Sequence, residues 1–547
     1  MKNLQLTVSS LEKVFPSDKP KLRINSATVF RNETFHFQIA CYSDVWRGYL
    51  KVKTDSDIKD KITVRAVELV PAQSARTFEG KDDGYYIKGH RNNELYPDLL
   101  RPFRDGVEIL RAKMWSAYWV TVDASELLPA GEHKISVNFR CNDSAYNETS
   151  EFVLTVLDEE LPKSDFTLTQ WFHYDCICHR HNVEAFSDEF YAIFEKYLES
   201  AVRHGMNMLY TPLFTPALDT AVGRYRQTTQ LVDVKLADGK YRFDFGKLGK
   251  FLDYVLVRGI DKIEFSHLAT QHGGVYCPQI VADIGGKTER IFGWDDRSDS
   301  ERYLTFLDAL FENLSAFLDK NGLCDKVCFH ISDEPTANAT EIFSKIGGIV
   351  KKYIPNAKFI DALSHKDFYE KGIITNPFVS LYAYDGFPAD WIYYCGEHRR
   401  CFFTNSLFAM PSQRNRIIGF QCYRNGVNGL LHWGFNFYNS YKSLALVDPY
   451  LITDGGVGGG CFDSGDCFIV YPTSNGVDES LRHEVLGDAF YDYRACLLAE
   501  KYYGKKYILD FLDKEGIKRG FSDYPRSAVK HLRIREKLNR LISEKID

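Results

Sequence analysis

The first 160 residues alternate apolar and polar positions in short runs. Residues 27–43, ATVFRNETFHFQIACYS, and residues 133–158 both follow this period of two, and Gly, Asn, Asp and Ser interrupt the runs at short intervals. Because successive side chains of a strand point to opposite faces, the pattern predicts strands with one buried face. We therefore predict an antiparallel β-sandwich domain over residues 1–160. Residues 90–103, HRNNELYPDLLRPF, follow no period and are predicted as a long loop.

From residue 161 onward, helical spacing of apolar residues alternates with short buried runs. Ser187 is placed to cap a helix whose apolar positions recur from Phe190 to Ala201, and Gly205 is placed to end it. Eight strand candidates follow one another, most of them separated by helical or long connecting segments: 167–175, 206–214, 260–270, 326–335, 357–364, 378–386, 401–408 and 428–436. Eight such units predict an α/β fold with a (β/α)8 TIM-like barrel over residues 161–500, with a doubly wound sheet as the alternative. Residues 501–547 are predicted as a C-terminal helical segment.

Composition and charge exclude several classes of function. The 68 basic residues nearly balance the 74 acidic residues, and the basic residues are scattered along the sequence. We therefore expect no positive patch that would bind a nucleic acid. The N-terminal residues contain no apolar signal segment, and no later stretch approaches the roughly 20 apolar residues that a bilayer span requires. Thirteen cysteines, an odd number, favour reduced thiols over a disulfide framework. These features predict a cytoplasmic protein that binds neither nucleic acid nor membrane.

Polar and aromatic residues collect where the predicted barrel strands end. The loops after the strands of such a barrel converge around one mouth, and catalytic residues lie there. These residues are Trp171, His173 and Asp175 for the first strand, His267 for the third, Asp333 and Glu334 for the fourth, Asp361 for the fifth, Tyr384 and Asp385 for the sixth, Asn405 for the seventh and Trp433 for the eighth. Helix caps also follow strands, and Asp333 could be such a cap. Caps do not require Trp, His and Tyr beside them, so the pattern favours a binding site.

The adjacent acids Asp333 and Glu334 suit one mechanism better than others. Neighbouring residues of an extended chain point to opposite faces, a poor arrangement for the two facing carboxyl groups, roughly 5 to 9 Å apart, of an ordinary glycosidase. A substrate whose 2-acetamido oxygen is the nucleophile needs only an acid and an orienting group from the protein. Glu334 would be the general acid/base, holding its proton near neutral pH through partial burial and the like charge beside it. Asp333 would accept the acetamido N–H and stabilise the oxazolinium-like intermediate.

Ten sequence blocks resemble glycoside hydrolase family 123 and the related DUF4091 group. The blocks are YPDLLRPF at 96–103, GMNMLYTPLFTPALDT at 205–220, QLVDV at 230–234, IEFSHLATQHGG at 263–274, FGWDD at 292–296, FHISDEP at 329–335, DALS at 361–364, WIYYC at 391–395, LLHWGFNFYN at 430–439 and SGDCFIVYP at 464–472. The resemblance implies a retaining β-N-acetylgalactosaminidase with a β-sandwich before a (β/α)8 barrel. It also implies that Asp333 and Glu334 are the catalytic pair, and that neither a metal nor an organic cofactor is required.

Candidate sugar contacts surround this pair in the sequence. Aromatic faces stack on sugar rings, which makes Trp433 and the Tyr393–Tyr394 pair candidates, with a tyrosine hydroxyl reaching the acetamido carbonyl. Trp171 and His173 after the first strand, and His267, Gln271 and His272 after the third, are further candidates; Asp361 and Tyr384 join them as strand-end residues, and Asp219 and Asn405 as groups that could hold sugar hydroxyls.

The stretch WFHYDCICHRH offers an alternative chemistry. It contains His173, Cys176, Cys178, His179 and His181, which suggests a zinc-dependent hydrolase. However, Cys-x-Cys followed by His is not the usual ligand spacing, and no second ligand pair follows at zinc-finger distance.

We therefore predict an exo-acting glycoside hydrolase that removes a terminal β-linked N-acetylhexosamine, with N-acetylgalactosamine favoured by the resemblance. A sugar-binding barrel without catalytic activity and the metal-dependent hydrolase stay open as alternatives. Within the enzyme class, an ordinary two-carboxylate glycosidase would pair Glu334 with Asp361 or Asp385. The expected partner is a carbohydrate with a 2-acetamido sugar, and the oligomeric state, including a homo-oligomer, is left open.

Overall fold

A computed structural model of the chain describes residues 2–75, 83–142, 144–271, 273–335, 337–394, 402–457 and 459–546. The strands are β1 (Asn3–Ser9), β2 (Ser26–Phe30), β3 (Phe35–Ser43), β4 (Lys51–Asp55), β5 (Ile62–Ala72), β6 (Glu94–Pro102), β7 (Trp115–Val122), β8 (Gly131–Arg140), β9 (Asn147–Leu157), β10 (Thr167–Gln170), β11 (Met208–Thr211), β12 (Asp233–Ala237), β13 (Lys240–Asp244), β14 (Lys262–Phe265), β15 (Ile280–Ile284), β16 (Lys287–Phe292), β17 (Val327–Phe329), β18 (Lys358–Phe359), β19 (Ala362–Leu363), β20 (Phe378–Ser380), β21 (Trp391–Tyr393), β22 (Gly429–His432), β23 (Val470–Pro472) and β24 (Val477–Glu479). The helices are α1 (Tyr174–His181), α2 (Asp188–Arg203), α3 (Gly246–Leu256), α4 (Glu301–Lys320), α5 (Thr340–Tyr353), α6 (Asp367–Glu370), α7 (Ser412–Arg416), α8 (Ile418–Asn425), α9 (Leu481–Tyr503), α10 (Lys505–Lys514) and α11 (Ala528–Ile546).

The N-terminal strands form two sheets, one of five strands in the order β1-β3-β7-β5-β6 and one of four in the order β2-β9-β8-β4. Neighbouring strands are antiparallel except that β2 runs parallel to β9. Apolar side chains of both sheets share a core, in which Phe37 stacks on Phe152 and Tyr118 packs on Phe139, each pair with 4.5 Å between ring centroids. The antiparallel strands predicted from the period of two are therefore present.

Residues 90–103 are not a long loop, so this prediction was wrong. They contain β6, which pairs with β5 across a register shift at Glu68 and Leu69. Tyr96 to Leu100 are all buried, and among them Asp98 pairs with Arg482 of α9 at 2.8 Å. A strand that is covered on both faces and carries a buried ion pair shows no alternation of polar and apolar residues, which is why its period is absent.

A barrel-like parallel sheet of nine strands follows, in the order β18-β17-β14-β11-β10-β22-β21-β20-β19. The edge strands β18 and β19 are separated in the chain only by Ile360 and Asp361, so the two edges of the sheet come together. Seven of the eight predicted segments contain strands of this sheet; the fifth is split into β18 and β19.

The seventh strand was predicted in the wrong place. The described part of the predicted segment, residues 402–408, contains no strand, and β21 takes its position between β20 and β22. The carbonyl of Phe403 accepts a hydrogen bond of 2.9 Å from Arg414 of α7, so a helix rather than a ladder holds this segment. Asn405 therefore does not end a strand, whereas Tyr393 does.

Gly429 of β22 leaves space for the bulky side chain of Trp391 on the neighbouring strand β21. A Cβ at this position would lie 2.3 Å from the indole of Trp391, the first residue of the neighbouring strand β21. Lys262 lies 5.6 Å from the same ring and donates to Thr167, so the interior at this end of the sheet is filled. Only glycine leaves room for the tryptophan here.

The helices begin and end much as the sequence indicates. Ser187 caps α2, accepting from the N–H of Phe190 at 3.1 Å, as predicted. In the C-terminal region α10 and α11 follow α9, and His531 and Arg535 of α11 both contact Asp492 of α9. The connections after β11 and β14 form a separate sheet in the order β13-β12-β15-β16. None of the described helices is both long and apolar enough to span a bilayer.

Candidate active site

Asp333 and Glu334 lie in the turn that follows β17, and both side chains are half-buried. Glu334 has a φ of 44°, in the left-handed region that non-glycine residues rarely occupy and that is enriched at functional sites. Its Oε1 accepts a hydrogen bond of 2.9 Å from the hydroxyl of Tyr393, which ends β21, a strand that does not neighbour β17. Neither acid caps α5, whose N-cap is Ala339. The pair therefore belongs to a place where loops from separate strands meet.

Electrostatics set the two acids apart. Burial raises the pKa of Asp333 well above its ordinary value, the charge of Glu334 raises it further, and the charge of His330 opposes this. The sequence led us to expect the retained proton on Glu334, whereas the raised pKa falls on Asp333. Burial and the neighbouring negative charge therefore favour the protonated form of Asp333 in the free site.

A buried network lies beneath the pair and centres on His330. Its Nε2 lies 2.5 Å from Glu264 Oε1, and its Nδ1 lies 3.3 Å from Asp361 Oδ1. Glu264 also accepts hydrogen bonds of 2.7 Å from Thr169 and from the indole nitrogen of Trp171. Burial alone would lower the pKa of His330, but the two carboxylates outweigh it and raise that pKa to about 9. His330 is therefore an imidazolium at neutral pH.

The hydrogen bonds of this network also show whether its side chains are available to bind a metal ion. Within the described residues, His267, His330 and Asp361 offer ligand atoms that lie within 4.8 Å of one another. Metal binding requires a neutral imidazole with a free lone pair, and both nitrogens of protonated His330 contact carboxylates. His267 Nδ1 contacts the hydroxyl of Tyr210 at 2.9 Å. The arrangement suits a hydrogen-bonded cluster better than a metal centre.

Two predicted sugar contacts, Trp171 and His173, are engaged inside the protein. Trp171 is 2% exposed and stacks on Tyr210 in addition to its bond to Glu264. His173 Nδ1 lies 3.1 Å from Arg226 Nη2, and its Nε2 lies 3.0 Å from the carbonyl of Trp433. Burial, together with the charge of Arg226, lowers the pKa of His173 to about 3, so His173 is neutral and joins the loops after β10 and β22.

Asp219 and Gln271, two of the predicted sugar contacts, are brought together by the fold. Gln271 Oε1 accepts from the N–H of Asp219 at 2.5 Å, and Asp219 Oδ2 accepts from the N–H of Lys442 at 2.9 Å. Asp219, Lys442 and Ser443 all have positive φ, at 42°, 57° and 50°. Burial raises the pKa of Asp219 to about 6. The loops after β11, β14 and β22 thus meet at strained backbone; His272 lies outside the described residues.

Trp433, which follows β22, is the half-buried aromatic residue at this end of the sheet. Its indole nitrogen donates to Asp466 Oδ2 at 3.2 Å, and its ring packs on Phe462 and Phe437 with centroid distances of 4.9 and 5.2 Å. The edge of the ring is therefore fixed by protein groups, while part of its surface stays exposed.

Three further predicted contacts have partners elsewhere. Tyr384 donates to the carbonyl of Asn425 at 3.1 Å, and Tyr394 donates to Asn415 at 3.4 Å; both of these partners lie in helices. Asn405 is buried and accepts from the N–H of Ser406. The described contacts do not bring these three residues to the acid pair. Asp361 and His267 lie in or beside the buried network, and Asp361 is fully buried.

Three polar residues of this region were missed from the sequence: Glu264, Arg226 and His330. Arg226 forms a buried ion pair with Asp175 and is placed by the connection after β11. A glutamate inside the apolar segment IDKIEFSHLAT and a histidine just before the acid pair were available signals, because charged groups in buried strands require partners. Arg226 gave no such signal, because its partner lies 51 positions away in the chain.

The cysteine and histidine stretch does not form a metal centre in the described structure. Cys176 and Cys178 are buried in α1, and burial raises the pKa of both thiols, that of Cys178 to about 12. His181 Nε2 contacts the hydroxyl of Tyr197 at 2.9 Å instead of a shared ligand position. Neutral, separately engaged groups are poor metal ligands.

Comparisons with known proteins identify the family of this chain. The family model described as "Glycoside hydrolase 123, catalytic domain" matches residues 171–498. A family 123 glycoside hydrolase from Clostridium perfringens, analysed for glycolipid glycan hydrolysis, has a TM-score of 0.76 at 12% identity, with 100% of this chain and 99% of that chain covered. A GH10 xylanase with a bacterial Ig-like domain from termite gut covers 67% of this chain and 86% of its own at 11% identity, with a TM-score of 0.33. No curated protein matches the sequence. The chain belongs to glycoside hydrolase family 123.

Proposed function

We propose that the protein is a retaining, exo-acting glycosidase that removes a terminal β-linked N-acetylhexosamine, with N-acetylgalactosamine favoured. The observation that carries this proposal is the adjacent pair Asp333–Glu334, with Tyr393 bound to Glu334. The nine-stranded sheet is then a closed (β/α)8 barrel within residues 161–500, and the two N-terminal sheets form a β-sandwich over residues 1–160. Glycolipid glycans are a candidate source of the sugar, because the Clostridium perfringens enzyme of this fold is described as acting on them.

In the first step the acetamido oxygen of the bound sugar attacks C1 while the glycosidic oxygen leaves. Glu334 gives its proton to that oxygen, and Asp333 accepts the acetamido N–H and offsets the positive charge of the oxazolinium ion. In the second step Glu334 takes a proton from water as the water attacks C1 and the bond between C1 and the acetamido oxygen breaks. Two inversions at C1 give net retention.

The raised pKa of Asp333 in the free site fits this sequence of events. A carboxylate that accepts a hydrogen bond is stabilised in its charged form, so the acetamido N–H lowers the pKa of Asp333 when the sugar binds. Asp333 is then charged when the oxazolinium ion forms, as the reaction requires. Substrate binding, rather than the free enzyme, prepares Asp333 for this role.

The sugar would be held by side chains from several loops. The exposed part of the Trp433 side chain is suited to contact the sugar ring, and the hydroxyl of Tyr393, which binds Glu334, is a candidate to reach the acetamido group. Asp219 and Gln271 suit the sugar hydroxyls. An ordinary two-carboxylate mechanism is less well supported, because Asp361 is fully buried and already accepts hydrogen bonds from two main-chain N–H groups.

The test is a panel of aryl glycosides that differ in the 2-substituent and in the leaving group. The parent should hydrolyse 2-acetamido sugars and leave their 2-hydroxy counterparts intact. Glu334→Gln should lose about 100- to 10,000-fold in kcat/KM on poor leaving groups and much less on good ones, because only poor leaving groups require protonation. Asp333→Asn should lose activity on both kinds.

The matched control is Glu341→Gln on α5, where an exposed glutamate pairs with Lys345 at 2.7 Å. This variant makes the same chemical change near the pair and should keep parental rates. Equal turnover by Glu334→Gln and the parent across the panel would remove Glu334 from the mechanism. Hydrolysis of 2-hydroxy glycosides at comparable rates would exclude assistance by the acetamido group.

A further inference from the structure

Asp361 holds the main chain that leads into the acid pair. Its Oδ1 accepts hydrogen bonds from the N–H groups of Ile331 and Ser332 at 2.9 and 3.1 Å. The hydroxyl of Ser332 donates to the carbonyl of Thr270 at 2.7 Å. The two residues before Asp333 are therefore anchored from the short segment between β18 and β19 and from the loop after β14. A turn that continues into a strained residue keeps its geometry only when such neighbours determine it.

Asp361 is itself held in place by His330. Its second oxygen, Oδ2, is buried without a hydrogen-bond partner among the described residues, which is unfavourable for a charged group. The adjacent imidazolium offsets that cost, and Glu264 on the far side of the ring keeps the imidazolium charged. The three side chains are fully buried and depend on one another.

We propose that Glu264, His330 and Asp361 act as one positioning unit that sets the orientation of Asp333 and Glu334 and the charge of Asp333. The inference rests on the proposed function of the acid pair. A proton on His330, not a metal ion, holds the unit together. None of the three residues touches the sugar in this scheme; they act through the turn that carries the acids.

The unit also acts on the charge of Asp333. The positive charge of His330 lowers the pKa of Asp333, and the negative charge of Asp361 raises it. The titratable groups that face His330 in the described structure are Glu264, Asp361, Asp333, the stacked ring of His267 at 4.3 Å and the ring of Tyr210 at 6.3 Å. Removing the two opposite charges should therefore move the titration of Asp333 in opposite directions, which a purely structural defect would not do.

The experiment compares Asp361→Asn and His330→Gln with the parent on an aryl 2-acetamido glycoside. Both variants should lose about 10- to 100-fold in kcat while KM stays within about threefold, because the acids are misplaced and not removed. The acidic limb of kcat/KM against pH reports the ionisation of Asp333. We expect it to move by roughly one unit to lower pH in Asp361→Asn and to higher pH in His330→Gln.

Asp492→Asn is the matched control. Asp492 is a fully buried acid that contacts His531 at 2.8 Å in the α9–α11 contact, away from the acid pair. It should lower the melting temperature without shifting the pH limb. Shifts in the same direction for the two test variants, or no shift, would overturn the inference.

A second readout does not depend on catalysis. NMR of ring-labelled histidines, with His330 assigned by its absence in His330→Gln, should show His330 protonated at pH 7. A neutral His330 at that pH, or one equivalent of bound metal in the purified protein, would overturn the inference even if the enzyme is active. If the parent hydrolyses no acetamido glycoside while His330 is protonated, the proposed function fails and the buried unit stands as a structural finding.

Discussion

At the residue scale, the hydroxyl of Tyr393 joins the acid pair to a distant strand. It donates to Glu334 at 2.9 Å and lies 3.0 Å from the hydroxyl of Ser364. The sequence predicts the acids as the catalytic pair, because their adjacency matches a mechanism. The contact with Tyr393 could not, because it spans 59 positions of the chain and depends on the closure of the sheet.

Tyr393→Phe removes this contact and keeps the ring. Because a typical hydrogen bond contributes about 0.5 to 1.5 kcal/mol and this hydroxyl also reaches the acetamido group in the proposed scheme, we expect kcat/KM to fall about 10- to 100-fold. Steady-state kinetics on an aryl 2-acetamido glycoside measures the loss. Tyr423→Phe, which removes a hydroxyl that donates to Glu500 at 2.8 Å, is the control and should keep parental rates. A Tyr393→Phe enzyme with parental kcat/KM would show that this hydrogen bond does not contribute to catalysis.

At the element scale, the structure differs from the sequence-based prediction where tertiary contacts decide. Residues 402–408 have strand-forming composition, but Arg414 holds them beside α7. The shorter β21 is the strand, because it pairs with β20 and β22 and its Trp391 fits over Gly429. Strand β6 was missed because its buried Asp98, which pairs with Arg482, interrupts the alternation of apolar and polar residues.

Gly429→Ala tests the fit of β21. The new methyl group would lie 2.3 Å from the Trp391 ring, so the start of β21 must shift, and Tyr393 at its end shifts with it. We expect a loss of stability of about 1 to 3 kcal/mol together with lower activity. Thermal unfolding and kinetics of the same preparation measure both.

The control for this change is Gly348→Ala in α5, where a Cβ meets nothing within 4 Å. Alanine is the better helix former by about 1 kcal/mol, so this variant should be as stable as the parent or more stable. Equal melting temperatures for Gly429→Ala and the parent would contradict the fit described for Trp391.

At the scale of the whole molecule, a cavity of about 1030 Å³ lies away from the acid pair. It is lined by the N-terminal sheets, the residues before β10 and β11, and α9. Most of its charged side chains form ion pairs with one another. Arg65 pairs with Glu479 and Glu484, and Glu484 also contacts His36 and His204. We therefore assign this cavity to the junction between the N-terminal sheets and the rest of the chain, and not to catalysis.

Glu484 makes the junction sensitive to acid. Burial would raise its pKa, but Arg65, His204 and His36 lower it well below the ordinary 4.5, so its contribution is present above pH 4.5 and is lost as the pH falls further. The pKa of His36 is raised from 6.5 to about 9, so its contribution is complete below 6.5 and is lost towards 9. Together they predict that the junction is most stable between about pH 4.5 and 6.5.

Glu484→Gln should lower the free energy of unfolding by about 3 to 5 kcal/mol near pH 6, because it leaves buried cations without their partner. The loss should shrink in acid, where the parent loses the same interaction. Melting temperatures from pH 3 to 9 for both proteins measure this. A constant difference across that range would show that the charge of Glu484 does not stabilise the junction.

The sequence by itself determined the antiparallel N-terminal strands, the alternation of strands and helices after residue 160 and the family resemblance, because local periodicity and motifs lie in consecutive residues. It also supplied the prediction that the adjacent Asp333 and Glu334 are the catalytic pair. Only the tertiary structure decided the identity of the seventh strand, the split fifth strand, and the buried group of Glu264, His330 and Asp361. The same holds for the engagement of Trp171 and His173 inside the protein. These features depend on contacts between side chains that lie far apart in the sequence. Packing and electrostatics determine those contacts only when the chain has folded.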